Sequence, residues 1–305
     1  MKVVVTGANG FVGSRVVREL VRLGDDVHAV VRPASDRRRL SGLPSLRVLE
    51  ADVLDSDGRA RIAAVGAEAC VHAAWYAEPG KYLSSLANLD LMGATLDLAR
   101  ALAHRDCLRF VGVGTCFEYD TDRGLLSENT PLAPAHLYSA AKAGTFLALE
   151  QLGILTGMRV AWARLFYLYG PDEHPNRLVP SVARALLRGD RARSTHGAQV
   201  RDFLHVEDVA SAIGALAHGE VGGAVNVASG QPVTVAAVVL QLAAICARPD
   251  LVDLGALPYG AADPMFVCAD VRKILGATSW RPRWSMADGL ADAVAWWRRV
   301  EASSD

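Results

Sequence analysis

Cysteine is scarce, scattered and odd in number: Cys70, Cys107, Cys116, Cys246 and Cys268 form no CxxC pair and no cluster with histidine. That spacing excludes a disulfide framework and offers no ligand set for a structural metal, so reduced thiols and no metal are expected. Charge of one sign is also missing. Lysine plus arginine number 32 against 33 acids, a formal net charge of -1, and the arginine cluster DRRRL at 36–40 is too short to make a basic face. No nucleic-acid partner is expected. No hydrophobic run approaches the roughly 20 residues that span a bilayer, and the opening MKVVVTGANG breaks at Gly7, too early for a signal peptide. A cytoplasmic chain with no membrane partner is expected. What is present is 305 residues with 51% hydrophobic content, enough to bury a sizeable core.

Short β-branched runs alternate with longer stretches of helical period: KVVVT, then 11–23, DVHAVV, LRVLE, 56–65, ACVHAA, 82–104, LRFVGV, 136–155 and MRVAWARLF. Strands apolar on both faces and joined by helices require a parallel sheet covered on each side, with right-handed crossovers. The expected fold is α/β, a doubly wound parallel sheet over residues 1–165. Beyond about residue 170 prolines and glycines interrupt the rhythm, as in GPDEHPNRLVP, and a smaller substrate-binding lobe is expected over 166–201 and 228–305. Residues 202–227 read as a return to the first domain.

KVVVT runs straight into TGANGFVG, with Gly7, Gly10 and Gly13 spaced G-x-x-G-x-x-G ahead of the amphipathic SRVVRELVRLG. A glycine turn between strand and helix lets the backbone approach a pyrophosphate, whose charge rests on the helix N-terminus. Gly7, Gly10, Phe11, Val12 and Gly13 are therefore candidate dinucleotide contacts of a Rossmann-type site. An acid about 20 residues further on would hold the ribose hydroxyl of NAD. Val31 stands there instead and Arg32 follows, with Arg37 and Arg38 near enough to assist. A guanidinium grips a 2′-phosphate where a carboxylate repels it, so NADP(H) is the expected cofactor; a solvated basic loop is the alternative. Asp52 and Val53, just past the third strand, are placed to meet the adenine, and Ala73 and Ala74 after the fourth would let a cofactor lie close.

YSAAK, 138–142, puts Tyr138 and Lys142 at i and i+4, on one helix face. With seven tyrosines and four lysines, about 0.09 accidental Y-x-x-x-K matches are expected from random placement. The pattern gains weight from the glycine turn upstream and from Thr115, a hydroxyl at the end of an intervening strand. A tyrosine with an ordinary pKa of about 10 shuttles protons poorly at neutral pH, and a nearby ammonium corrects that. Thr115 can hydrogen-bond an oxygen whose charge changes during hydride transfer.

With RLFYLYGP at 164–171, RDFLHVEDVA at 201–210, GAVNVASG at 223–230 and the closing SMADGLADAVAWW, nearly the whole chain resembles the extended short-chain dehydrogenase/reductases, also called the NAD-dependent epimerase/dehydratase family of nucleotide-sugar enzymes. The resemblance implies Thr115 as the catalytic hydroxyl, Tyr138 as acid/base, Lys142 as its electrostatic partner and cofactor contact, and Arg201 as a contact to the substrate diphosphate; Arg177 or another arginine of this chain is expected to assist Arg201. It also implies a homodimer through 82–104 and 136–155. Family dehydratases carry an Asp-Glu pair directly after the threonine. Here Cys116 and Phe117 occupy those positions, and neither moves a proton to a departing hydroxyl, so 4,6-dehydration is not expected. Glu118, one position on, is expected to be structural. Tyr167 stands where many members have an asparagine near the sugar, and PYGAADP lacks an arginine common in that lobe. FVGVGTCFEYD is similar to the 4-ketoreductases, so the expected reaction is NADPH-dependent reduction of the 4-keto group of a nucleotide-linked 4-keto-6-deoxyhexose, with Cys116 and Tyr167 beside the sugar. Alternatives are an epimerase of the same family, a reductase that also epimerises a neighbouring carbon with Cys116 and His174, an NADP-dependent reductase of a non-nucleotide carbonyl, or an NADP sensor without catalysis.

Overall fold

In the computed structural model, which describes residues 1–43, 46–260 and 263–303, the β-branched runs pair with one another in parallel. Strands β1 (Lys2–Thr6), β2 (Asp26–Val31), β3 (Arg47–Glu50), β4 (Ala69–His72), β5 (Arg109–Thr115), β6 (Arg159–Leu165) and β7 (Gly223–Val227) form one sheet in the order 7-6-5-4-1-2-3. The helices are α1 (Phe11–Arg22), α2 (Ser56–Ala63), α3 (Ala87–Ala103), α4 (Leu137–Thr156), α5 (Leu178–Arg188), α6 (Val206–His218), α7 (Val235–Ile245), α8 (Arg272–Ala277) and α9 (Met286–Ala302).

Val3, Val4 and Val5 are completely buried, which is why β1 shows no polar face. On one side Val16, Val17 and Leu20 of α1 and Val209, Ile213 and Leu216 of α6 cover the sheet; on the other, Ile62, Leu98, Leu102, Phe146 and Leu149 do so from α2, α3 and α4. Strand order reverses between β1 and β4. In an open parallel sheet that reversal leaves a crevice at the carboxyl ends of the strands, where ligands bind.

The lobe has its own sheet, Tyr167–Tyr169, Val200–His205 and Pro232–Thr234, packed on α5, α7 and α9 through Val182, Leu186, Val238, Leu242, Leu290 and Val294. Three expectations change here. The strand Val200–His205 belongs to the lobe, so the chain returns to the first layer at α6 rather than at residue 202. Residues 272–280 also return to that layer: Ile274 and Trp280 are buried in its core, and the Trp280 indole donates to Asp208 O (3.1 Å) and Ser211 Oγ (2.9 Å). Finally, α3 starts at Ala87 and not at 82, because the Asn88 amide donates to Tyr82 O (2.7 Å) and Ser85 O (2.8 Å), holding those carbonyls in a turn ahead of the helix.

Among the described residues the cysteines are all free, no helix is long and apolar enough to cross a membrane, and no group of three or more His, Cys, Asp or Glu could hold a metal ion.

Candidate active site

The crevice opens into a cavity of about 680 Å³ between the sheet and the lobe. The glycine turn forms one wall. Gly7 has φ +65°, and a Cβ there would meet Ala74 N at 2.7 Å; a Cβ on Gly13 would meet Gly7 O at 2.1 Å. Helix α1 is thereby pressed onto the turn, and Gly10, at its N-cap, brings no side-chain cap. The N–H groups of the first turn have no acceptor within the helix, and Gly10, Phe11, Val12 and Gly13 line the cavity. An uncapped helix start facing a cavity fits the pyrophosphate of a dinucleotide. Beneath the turn, Thr6 Oγ1 and Thr95 Oγ1 bracket the two ring nitrogens of His72 at 2.8 and 2.9 Å. Burial drives the His72 pKa down to about 3, so the imidazole is a neutral strut tying β1 to β4.

The catalytic candidates come from β5 and α4. Thr115 ends β5, and its hydroxyl accepts from Phe117 N at 3.3 Å. Tyr138 is the second residue of α4, where its N–H donates to Leu83 O (3.0 Å) and its ring packs edge-on against Tyr82, centroids 4.8 Å apart. Burial raises the Tyr138 phenol above its ordinary value, Tyr82 and Glu118 push the same way, and a hydrogen bond with Thr115 opposes them. Lys142, one turn on, is 2% exposed; its Nζ donates to Val113 O (2.6 Å) and lies 3.6 Å from the centre of the Trp75 ring. Burial lowers its pKa to about 7. Trp75 is held in turn by its indole N–H to Asn88 Oδ1 (2.8 Å).

Glu118 is fully buried and spent on structure. Its Oε1 accepts from Thr115 N (2.8 Å) and Trp162 Nε1 (2.9 Å), and its Oε2 from Arg164 Nε (2.7 Å). The network requires Gly114, whose Cβ would meet Trp162 Nε1 at 2.2 Å and Glu118 Oε1 at 2.5 Å. Glu118 thus fixes the backbone of Thr115. Cys116 beside it is buried, and its thiol is pushed up to about 12, chiefly by desolvation, which leaves it protonated and unreactive.

On the far wall Arg201 is 3% exposed, stacks 5.1 Å from the Tyr167 ring centre and donates to Asp263 Oδ1 at 2.5 Å. Gln199 Nε2 holds the other oxygen of Asp263 at 3.0 Å. Arg177 lies over Tyr82, 5.4 Å from its centre.

A model of the NAD dependent epimerase/dehydratase family matches residues 3–228. The chain belongs to that family. It is 30% identical over 323 residues to a dTDP-glucose 4,6-dehydratase of Actinoplanes sp., covering 98% of both chains. The structure superposes on DesIV, the dTDP-glucose 4,6-dehydratase of Streptomyces venezuelae solved with NAD, with TM-score 0.86, 28% identity and coverage of 99% and 98%. It also has the fold of a UDP-glucose 4-epimerase of Thermus thermophilus, with TM-score 0.85, 23% identity and coverage of 98% and 99%.

Of the residues singled out in the sequence of this epimerase/dehydratase family member, Gly7, Gly10, Phe11, Val12, Gly13, Ala73, Thr115, Cys116, Tyr138, Lys142, Tyr167, His174, Arg177 and Arg201 share the cavity. Four lie outside it. Ala74 packs against Gly7, and Val53 is buried beside Ala51 and Ile62 at the edge of the core. Asp52 Oδ1 accepts from Leu54 N (3.0 Å) past the end of β3. Arg32 is exposed just past β2, with no side-chain hydrogen bond or ion pair among the described residues. Its expected helpers are occupied: Arg37 pairs with Glu50, and Arg38 with Asp172 (3.1 Å) and Asp36 (3.5 Å). His174 faces Glu78 at 3.9 Å. Sequence reasoning did not single out Trp75, Tyr82, Glu173, Gln199 and Asp263, all but Trp75 lacking any local pattern; Trp75 closes the VHAAW run at 71–75 and was readable there.

Proposed function

We propose that this family member reduces the 4-keto group of a nucleotide-linked 4-keto-6-deoxyhexose with NADPH, Tyr138 giving the proton. The observation that carries the reading is the set of residues after Thr115. A dehydratase must move a proton to a leaving hydroxyl; Cys116 is a protonated buried thiol, Phe117 has no proton to move, and both oxygens of Glu118 are taken. Hydride transfer without elimination is the chemistry left to Thr115, Tyr138 and Lys142.

When bound, the reduced dinucleotide supplies the hydride. The chain does the rest. Burial holds the Tyr138 phenol protonated, the state a proton donor starts from. Thr115 hydrogen-bonds the carbonyl oxygen as charge collects there, and Lys142 in its ammonium form, buried one helical turn from Tyr138, stabilises the phenolate left when Tyr138 has given its proton. Arg201 and Arg177 meet the nucleotide diphosphate, and Arg201 exchanges its contact with Asp263 for a phosphate. Epimerisation with NAD is the second reading. It is favoured by the clasp of Arg38 and Arg39 on Asp172, which ties the lobe to the nucleotide-binding layer beside Asn9 and would slow cofactor exchange.

For the cofactor, the support is Arg32. Arg32→Ala is expected to raise the KM for NADPH about 10- to 100-fold, the loss of a charge-assisted hydrogen bond of about 1.5–3 kcal/mol, with the KM for NADH unchanged. Equal effects on both cofactors would remove the argument for NADPH. The chain is also proposed to form a homodimer through α3 and α4, which leave Leu89, Leu147 and Ile154 exposed. Sedimentation at twice the 32.5 kDa chain mass, lost in Leu147→Asp, is the expected result.

A further inference from the structure

Glu173 enters the cavity from the segment between the strand Tyr169 closes and α5. The residue is 8% exposed, and its Oε2 is buried without any hydrogen-bond partner, the one carboxylate oxygen in that condition among the described residues. Its position is not slack. Just before it, Pro171 O accepts from Arg15 Nη2 (3.1 Å), Asp172 Oδ2 from Arg39 Nε (2.5 Å) and Asp172 O from Arg39 Nη2 (2.8 Å). Just after it, His174 Nδ1 accepts from Asn176 N at 3.2 Å. A backbone anchored on both sides holds a polar side chain in a buried place where the chain gives one of its oxygens nothing to bond.

Burying a carboxyl without a partner costs several kcal/mol, so a partner is supplied from elsewhere. The cavity is the source, because Glu173 shares it with Arg177, Phe11 and Gly13. We propose that Glu173 is a ligand-binding residue whose carboxylic acid donates a hydrogen bond to a phosphate or hydroxyl oxygen of a nucleotide held in this cavity. Two facts favour the acid over the carboxylate. Desolvation raises its pKa well above the usual value, against a smaller pull from Arg177, and a second negative charge beside a phosphate would repel it. The oxygen belongs either to the dinucleotide or to the nucleoside diphosphate of the substrate, and the inference rests on the nucleotide reading above.

Calorimetric titration with NADPH and, separately, thymidine diphosphate distinguishes the sources. Glu173→Ala is expected to weaken one of the two by about 3- to 10-fold, the worth of one hydrogen bond, and to leave the other unchanged. Glu173→Gln, whose amide N–H donates from the same place, is expected to bind both within about twofold of the parent. Glu173→Met, close in volume, replaces the alanine variant if that one does not fold. Parent-like binding of both ligands by the alanine or methionine variant overturns the inference alone, as does a glutamine variant as weak as the alanine one. A parent chain that binds neither nucleotide overturns the proposed function, and this inference with it.

Discussion

Tyr138→Phe is expected to slow single-turnover reduction of the 4-keto sugar by about 10²- to 10⁴-fold, the contribution of a positioned general acid. The phenol is set by three contacts that do not involve its hydroxyl: the Leu83 carbonyl on its backbone, the edge of Tyr82 on its ring, and the helix that carries Lys142 four residues on. Phenylalanine keeps all three. The loss should therefore fall on the chemical step, with binding of NADPH and of thymidine diphosphate unchanged. A variant that keeps full biological activity would instead support the sensor alternative. A variant that loses nucleotide binding would mean that the hydroxyl holds the site together rather than donating a proton.

Glu118→Ala is expected to cost about 3–5 kcal/mol of stability, because it strands the Arg164 guanidinium, 2% exposed, in the core. In a chain of this size that lowers the melting temperature by roughly 5–8 °C. Adding Arg164→Met should recover at least half of it, since replacing both members of a buried pair by apolar groups is often close to neutral. Activity in the double variant should fall less than in Tyr138→Phe. Glu118 acts through the Thr115 N–H and never through a proton delivered to substrate. If Glu118→Ala instead leaves the melting temperature alone and abolishes activity, the carboxyl is catalytic, and elimination of water returns as the better reading.

The central layer was legible because its inner strands are buried on both faces, as Val3, Val4 and Val5 are in β1, while the amphipathic stretch of α1 sets the helical period. The lobe was not. Its strands Tyr167–Tyr169 and Pro232–Thr234 are three residues each, too short for any period to show, and they owe their pairing to Val200–His205, more than thirty residues beyond the first. The site divides in the same way. Tyr138 and Lys142 share a helix face by their spacing of four residues, and the glycine turn follows from its own spacing, so both could be read in one dimension. Long-range partners decide the rest. Arg38 looked free for a phosphate until Asp172, 134 positions away, took it, and Glu118 found Trp162 and Arg164 at separations of 44 and 46. Glu173 and Asp263 sit in loops whose composition promises only turns; nothing short of the folded chain brings them to the wall of the cavity.

The most direct measurement follows a deuterium label. Purified protein is given a nucleotide-linked 4-keto-6-deoxyhexose with NADPH carrying deuterium on the transferable position, and the sugar is read by proton NMR. Stoichiometric loss of the reduced nicotinamide absorbance, with one deuterium at carbon 4 of an alcohol product, is the expected result. No net oxidation of the cofactor, with a nucleotide hexose converted to its carbon-4 epimer by NAD-loaded protein, would contradict reduction and make the chain an epimerase.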